Sequence, residues 1–217
     1  VLERLDACGI LWLACERELP RGFSGEDLKS GVFVVPKDDG SLRTILNRLR
    51  RNATEESRDG VTPSFPHGST LAEIFLEECE KLRVSVDDLP DYYHWIRITY
   101  ERILTNGFGP GIDYADARKL RAWERLTEDQ REEIARTGKA ATCWGMLPMG
   151  DRNSVSFAQE AHANLLRSGG GLTNEELFVY RRPWPVGKTA EGVMVDDHAV
   201  VHIAQATDTK EAAEAEL

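Results

Sequence analysis

Two adjacent carboxylates, Asp196 and Asp197, stand inside the stretch EGVMVDDHAVVHIA at residues 191–204. The β-branched and apolar residues on both sides predict a β-hairpin with acid at its tip. Like charges held together at the end of buried strands repel one another, and a bound cation is the usual relief. A polar tip is also ordinary turn chemistry, and the chain repeats such pairs at Asp38-Asp39 and Asp87-Asp88. A chemical role for Asp196 and Asp197 therefore depends on what the rest of the chain supplies.

Three other stretches carry residue types that could act with them. In GVFVVPKDDGSLRTILNRLRRN, residues 31–52, the runs VFVV and LRTIL flank an Asp39-Gly40-Ser41 turn and predict a second hairpin. Its cations Lys37, Arg43 and Arg48 suit a clamp over polyphosphate, Lys as a point charge and Arg as a bidentate fork. A solvated charged hairpin is the competing reading. RVSVDDL, residues 83–89, alternates as a short strand that ends on Asp87 and Asp88; acids there also suit the N-cap of a following helix. In LPMGDRNSVSFAQ, Pro148 and Gly150 predict a tight turn open to close backbone approach by a ligand. A helix follows with Gln159 near its start and Phe157, Ala161, Leu165 and Leu166 on its apolar face.

These stretches need a folded frame. With 217 residues and 41% hydrophobic content, the chain has enough apolar material for a core. No apolar run is long enough for a membrane span and no signal peptide is recognisable, which predicts an intracellular protein without a membrane partner. The cysteines Cys8, Cys15, Cys79 and Cys143 lack zinc-ligand spacing and read as reduced core thiols. A net charge of −10 is the opposite of a simple nucleic-acid-binding module, yet Lys37, Arg43, Arg48, Arg50 and Arg51 cluster. The remaining expectations are scaffold. A helix is predicted across residues 1–20 and another from Thr70 with Leu71, Ile74, Phe75 and Leu82 on one face. A third follows Asp88, with Tyr92, Ile96, Tyr100, Ile103 and Leu104. NGFGPG reads as a link, and Thr127 with Gln130 as a capping box.

Taken in order, the blocks resemble the fingers and palm of a reverse transcriptase, most like those of long-terminal-repeat retrotransposons and retroviruses. FVVPKDDGSLRTILNRL is similar to the fingers hairpin, DDLPDYYHWI to the first palm motif, LPMGDRNSVSFAQ to the motif at the nascent base pair, and VMVDD to the acidic hairpin motif. The chain departs from the family pattern at Met194, where Tyr or Phe is usual, at Asn47 in place of Asp, and at Val155 in place of Pro.

The resemblance implies an α+β fold: a right-hand polymerase palm, an antiparallel sheet with helices on one face, plus a fingers hairpin, with the thumb absent. Residues 1–30 would be a lead-in helix, 31–70 the fingers hairpin and loop, 71–204 the palm, and 205–217 an acidic tail or the start of another helix. Asp88, Asp196 and Asp197 would be the catalytic and metal-binding carboxylates for two Mg²⁺ or Mn²⁺ ions. Asp87 and Asp91 are their nearest rivals. Lys37, Arg43, Arg48, Tyr93, Gly150 and Gln159 would bind nucleotide, Tyr93 by excluding a ribose 2′-hydroxyl. The implied partners are an RNA or DNA template with its primer and deoxynucleoside triphosphates, within a longer polyprotein. Two alternatives stand beside an RNA-directed DNA polymerase. One is a degenerate or domesticated scaffold, favoured by Met194 and the missing thumb; the other is an RNA-templated RNA polymerase, which Tyr93 disfavours.

Overall fold

The computed structural model describes residues 1–38, 40–58 and 64–206; Asp39 of the first turn lies outside them, as does the expected tail apart from Gln205, which ends a strand, and Ala206. Two compact units are formed, one from Val1–Ser57 with Asp91–Ser154, the other from Arg58–Pro90 with Val155–Leu217. They interleave along the chain.

The first unit is built on a three-stranded antiparallel sheet in the order β1 (Leu11–Ala14), β6 (Lys139–Trp144), β5 (Gly107–Asp113). The apolar run LWLA is thus a strand rather than the end of a helix, which covers only Leu2–Ala7 (α1). Four cross-strand partners on β6 bury it, and that pairing outweighs local helical spacing. All of NGFGPG but Asn106 proves to lie in β5. Its register shifts between Phe108 and Ile112, a bulge around Pro110 that needs positive φ at Gly109 and Gly111. At Gly111 a Cβ would come within 2.7 Å of the Ala140 carbonyl, so the glycines that read as a link are what let the strand bend. Leu11, Leu13, Leu46, Phe108, Ile134 and Trp144 form the core.

The hairpin expected at residues 31–52 is present as β2 (Gly31–Pro36) and β3 (Leu42–Asn47), paired from Gly31↔Asn47 to Pro36↔Leu42. A one-turn helix, α2 (Leu49–Asn52), follows it. Where one helix was expected after Asp88, a 3₁₀ turn (Tyr92–His94) and a short helix α4 (Tyr100–Leu104) form instead. Beyond β5 come α5 (Tyr114–Ala117) and α6 (Glu128–Thr137), and α6 carries the Thr127/Gln130 capping box.

The second unit carries a three-stranded antiparallel sheet in the order β4 (Glu80–Asp88), β8 (Asp197–Gln205), β7 (Thr189–Met194). The helix expected from Thr70 is a single turn, α3 (Gly68–Leu71), capped by the His67 side chain. Leu82 belongs to β4 opposite Ile203, because nine ladder pairs with β8 extend the strand back to Glu80. The long helix α7 (Ser154–Ser168) buries Ala158, Gln159, His162 and Ala163. Ala161 and Leu165, expected on the buried face, are exposed. Ala163, Leu172 and Val193 make one cluster of this core, and Phe178, Ala190 and Val201 another.

Candidate active site

The acidic residues gather at one end of the second unit's sheet. Asp88 closes β4 and faces Asp197, the first residue of β8, as a register partner. Residues opposite each other on antiparallel neighbours share a face, so the two carboxylates are brought side by side. Met194 faces Asp197 from the other side, leaving Val195 and Asp196 as a two-residue turn. The Leu89 amide donates to the Asp196 carbonyl over 3.1 Å, tying the end of β4 to that turn. Burial together with the neighbouring charges of Asp196 and Asp88 pushes the Asp197 carboxyl above the usual aspartate range. Among the described residues, no group of three His, Cys, Asp or Glu side chains forms a ready-made cation cage.

The turn holding these acids is strained. Val195 adopts φ 61°, where a β-branched side chain is a genuine outlier, costing on the order of 1–3 kcal/mol. Two buried polar side chains of α7 hold it there. Gln159, 2% exposed, accepts from the Val195 amide at 2.7 Å and donates to the Val193 carbonyl at 2.8 Å. His162 reaches the Val195 carbonyl with Nδ1 at 2.9 Å, which requires the proton on that nitrogen. Gln159, expected on nucleotide, has both ends of its amide engaged with the hairpin backbone. The sequence reading missed His162, although its i+3 spacing from Gln159 marks it as lying on the same helix face. Replacing Gln159 by Leu leaves a buried amide and carbonyl unpaired and should cost about 1–3 kcal/mol, read as a lower urea midpoint.

The cationic hairpin belongs to the first unit. Lys37 and Arg43 line a surface hollow of about 450 Å³ with Val35, Pro36 and Asp38. Lys37 Nζ stands 3.6 Å from Asp91, both partly exposed, a pairing weak enough to be exchanged for a more highly charged anion. Asp91, a rival metal ligand from the sequence, thus serves as the partner of Lys37.

Arg48 requires a correction. It is 1% exposed and its guanidinium lies in an ionic cluster with Asp151 and, at 2.8 Å, Glu55; Thr105 accepts a further bond at 3.1 Å. Arg102 also pairs with Asp151 and Glu55. A guanidinium so deeply buried is closed to an incoming phosphate. Asp151 and Glu55 were missed because nothing in their spacing distinguishes them from surface acids. Gly150 also has an internal reason: at φ 100° its position admits no Cβ, which would meet the Leu46 carbonyl at 2.1 Å. The close approach is to protein backbone. Tyr92 is buried at 7% whereas Tyr93 is half-buried, so Tyr92 is the core aromatic of the pair.

The cysteines are all free, and only Cys15 and Cys143 are buried; Cys8 and Cys79 are exposed, correcting the expectation of four core thiols. Burial first, then Glu18, raises Cys15 to about 11, and burial raises Cys143 to about 12, so neither supplies a thiolate nucleophile near neutral pH. Among the described residues no helix is long and apolar enough to cross a membrane.

No protein-family model and no curated protein matches the chain. Among solved structures, it is similar to the foamy viral protease-reverse transcriptase in complex with dsDNA, with a TM-score of 0.50 and 17% identity over 97% of this chain. The foamy viral protease-reverse transcriptase dRH with ds DNA gives 0.49 and 19% over 95% of this chain. The native prototype foamy virus enzyme gives 0.43 and 17% over 96% of this chain and 19% of that one. The chain spans 30% and 25% of the length of the first two solved chains. The likeness carried by the four sequence blocks is therefore matched by a likeness of fold, an α+β arrangement of antiparallel sheets and helices similar to reverse transcriptase structures.

Proposed function

We propose that this chain is the fingers and palm of an RNA-directed DNA polymerase, adding deoxynucleotides to a primer 3′-hydroxyl by metal-assisted phosphoryl transfer. The observation that carries the reading is the pairing of Asp88 with Asp197 beside Asp196, with the Asp197 carboxyl raised by burial and by the other two charges. Carboxylate oxygens are the donors that Mg²⁺ or Mn²⁺ prefers, and Mg²⁺ completes its shell with water and substrate phosphate, so a closed protein cage is not required. Asp88, Asp196 and Asp197 would hold the ions. When bound, two such ions neutralise charge on the attacking and leaving oxygens of an in-line displacement. The chain's own contributions are distinct. Gln159 and His162 hold the acidic turn in its strained conformation; Lys37 and Arg43 offer cations to the triphosphate.

The fold likeness and the donor chemistry support this reading; Met194 and the open carboxylate arrangement support a second, a scaffold that has lost catalysis. Extension of a primer on an RNA template, with the four deoxynucleotides and Mg²⁺, separates the two. A polymerase extends the primer and stops when the metal is chelated. Mn²⁺ titration of the chain with and without deoxynucleotide provides the companion measurement, and a protein that neither extends nor binds the ion is the scaffold.

Sugar choice gives a more specific expectation. If the half-buried Tyr93 ring fills the space of a ribose 2′-hydroxyl, overpacking of about 1–3 kcal/mol corresponds to roughly five- to more than a hundredfold discrimination. Tyr93→Val should raise ribonucleotide incorporation by that order, while Tyr92→Val should mainly lower stability. Single-nucleotide kinetics with an unchanged sugar ratio for the Tyr93 variant would count against the role.

A further inference from the structure

A cleft of about 350 Å³ in the first unit is lined by Cys8, Gly9, Trp12, Arg97, Ile98, Arg125, Gly145 and Met146. Two of its eight lining residues are arginines and none is a carboxylate, in a chain whose net charge is −10. Both arginines are exposed. Arg125 stacks its guanidinium over the Trp12 ring at 5.0 Å and donates to the Leu11 carbonyl at 3.2 Å, so its charge is positioned without being neutralised. Among the described residues, Arg97 makes no ion pair either, while its backbone is fixed by a bridge to Met146. The indole of Trp12 lies against Gly145, where a Cβ would come within 2.1 Å of the ring. The cleft thus joins one guanidinium held in place, that of Arg125, and a second on a fixed backbone, that of Arg97, to an apolar floor of Trp12, Ile98 and Met146.

We propose that this cleft binds one nucleotide unit of a single-stranded nucleic acid, with phosphodiester on Arg97 and Arg125 and base against the apolar floor. The chemistry favours an unpaired strand. Guanidiniums match phosphate oxygens in fork geometry, and aromatic and apolar surface beside a cationic groove is how unpaired bases are held, whereas a duplex hides its base faces. The proposal rests on the polymerase reading, for which such a strand is the template; it adds a binding site outside the acidic turn and the cationic hairpin.

The test uses the chain as it exists, with a fluorescein-labelled oligouridylate followed by anisotropy across a salt series. Arg97→Gln and Arg125→Gln should each weaken binding and flatten the slope of log K against log salt by about 0.7 for each phosphate no longer neutralised. Arg136→Gln, a charge loss of equal size outside the cleft, should leave the slope unchanged. Arg97, exposed and without an internal ion pair, is the variant least exposed to misfolding. Cys8 on the rim adds a second readout: the oligonucleotide should slow its alkylation by iodoacetamide. An Arg97→Gln slope equal to that of the parent protein overturns the proposal, and so does equal protection of Cys8 by inorganic phosphate alone, which would assign the site to a free anion. Primer extension with arginine-independent binding would fall on the cleft alone. Arginine-dependent binding without extension would fall on the polymerase reading alone.

Discussion

Replacing Asp197 by Asn should lower templated nucleotide addition by at least about 10²- to 10³-fold, the scale of removing one preorganised electrostatic stabiliser from a transition state. The same change should leave the fold at least as stable as before. The two effects have opposite sign because Asp197 is held in an unfavourable electrostatic position. Burial and the charges of Asp196 and Asp88 raise its folded pKa above the ordinary value of 3.8. A carboxyl raised in the folded state contributes stability at pH values below its unfolded pKa, and that contribution is lost as pH rises through the folded value. At neutral pH the ionised side chain therefore opposes folding, and the amide removes the repulsion while keeping the shape. Primer extension measured beside a thermal melt at pH 7 checks the pair of outcomes. Activity lost together with a lower melting temperature would show a structural role; activity retained would place the metal on other ligands.

The largest stability effect is expected at Arg48. Arg48→Met removes the fully buried cation of an ionic cluster and leaves the buried Asp151 and Glu55 to the partly exposed Arg102 and Arg51; removing one partner of a buried pair typically costs about 3–5 kcal/mol. For a protein of this size that lowers the melting temperature by roughly 6–20 °C. Burial pulls the Arg48 pKa below the ordinary guanidinium value even though Asp151 and Glu55 act to raise it, so the cluster sits where an unpaired charge is expensive. Asp151→Asn should accordingly cost much less in the Arg48→Met background than alone, a double-mutant coupling measurable by urea unfolding. The cluster also has a pH signature. Burial alone would raise Glu55, but Arg48 and Arg102 draw it below its ordinary 4.5. A depressed carboxyl stabilises above its unfolded pKa, and that contribution is lost as pH falls through the folded value. Acidification below about 4.5 should therefore destabilise the parent protein, and the Arg48→Met variant by less.

Elements whose signal is local were legible along the chain. Two β-rich runs around a Gly turn marked the β2–β3 hairpin, apolar flanks marked the β7–β8 hairpin with its acidic tip, and the Thr127/Gln130 spacing marked a helix cap. The order of four motifs also revealed the fold likeness that the solved structures repeat. Where pairing overrode local preference, three-dimensional packing set the outcome. LWLA became a buried strand because β6 offered four partners, and Leu82 joined β4 because β8 extended the ladder past it. It alone decided between exposed and buried charge: Lys37 and Arg43 line a surface hollow, while Arg48, five residues beyond Arg43, is enclosed by Asp151 and Glu55. The same holds for Gln159 and His162, whose helix spacing shows a shared face but not the strained Val195 turn that it supports. Hydrophobic periodicity and turn chemistry act over a few residues and so can be read along the chain, whereas desolvation and the pairing of a charge depend on groups up to about a hundred residues away, as Arg48 and Asp151 are.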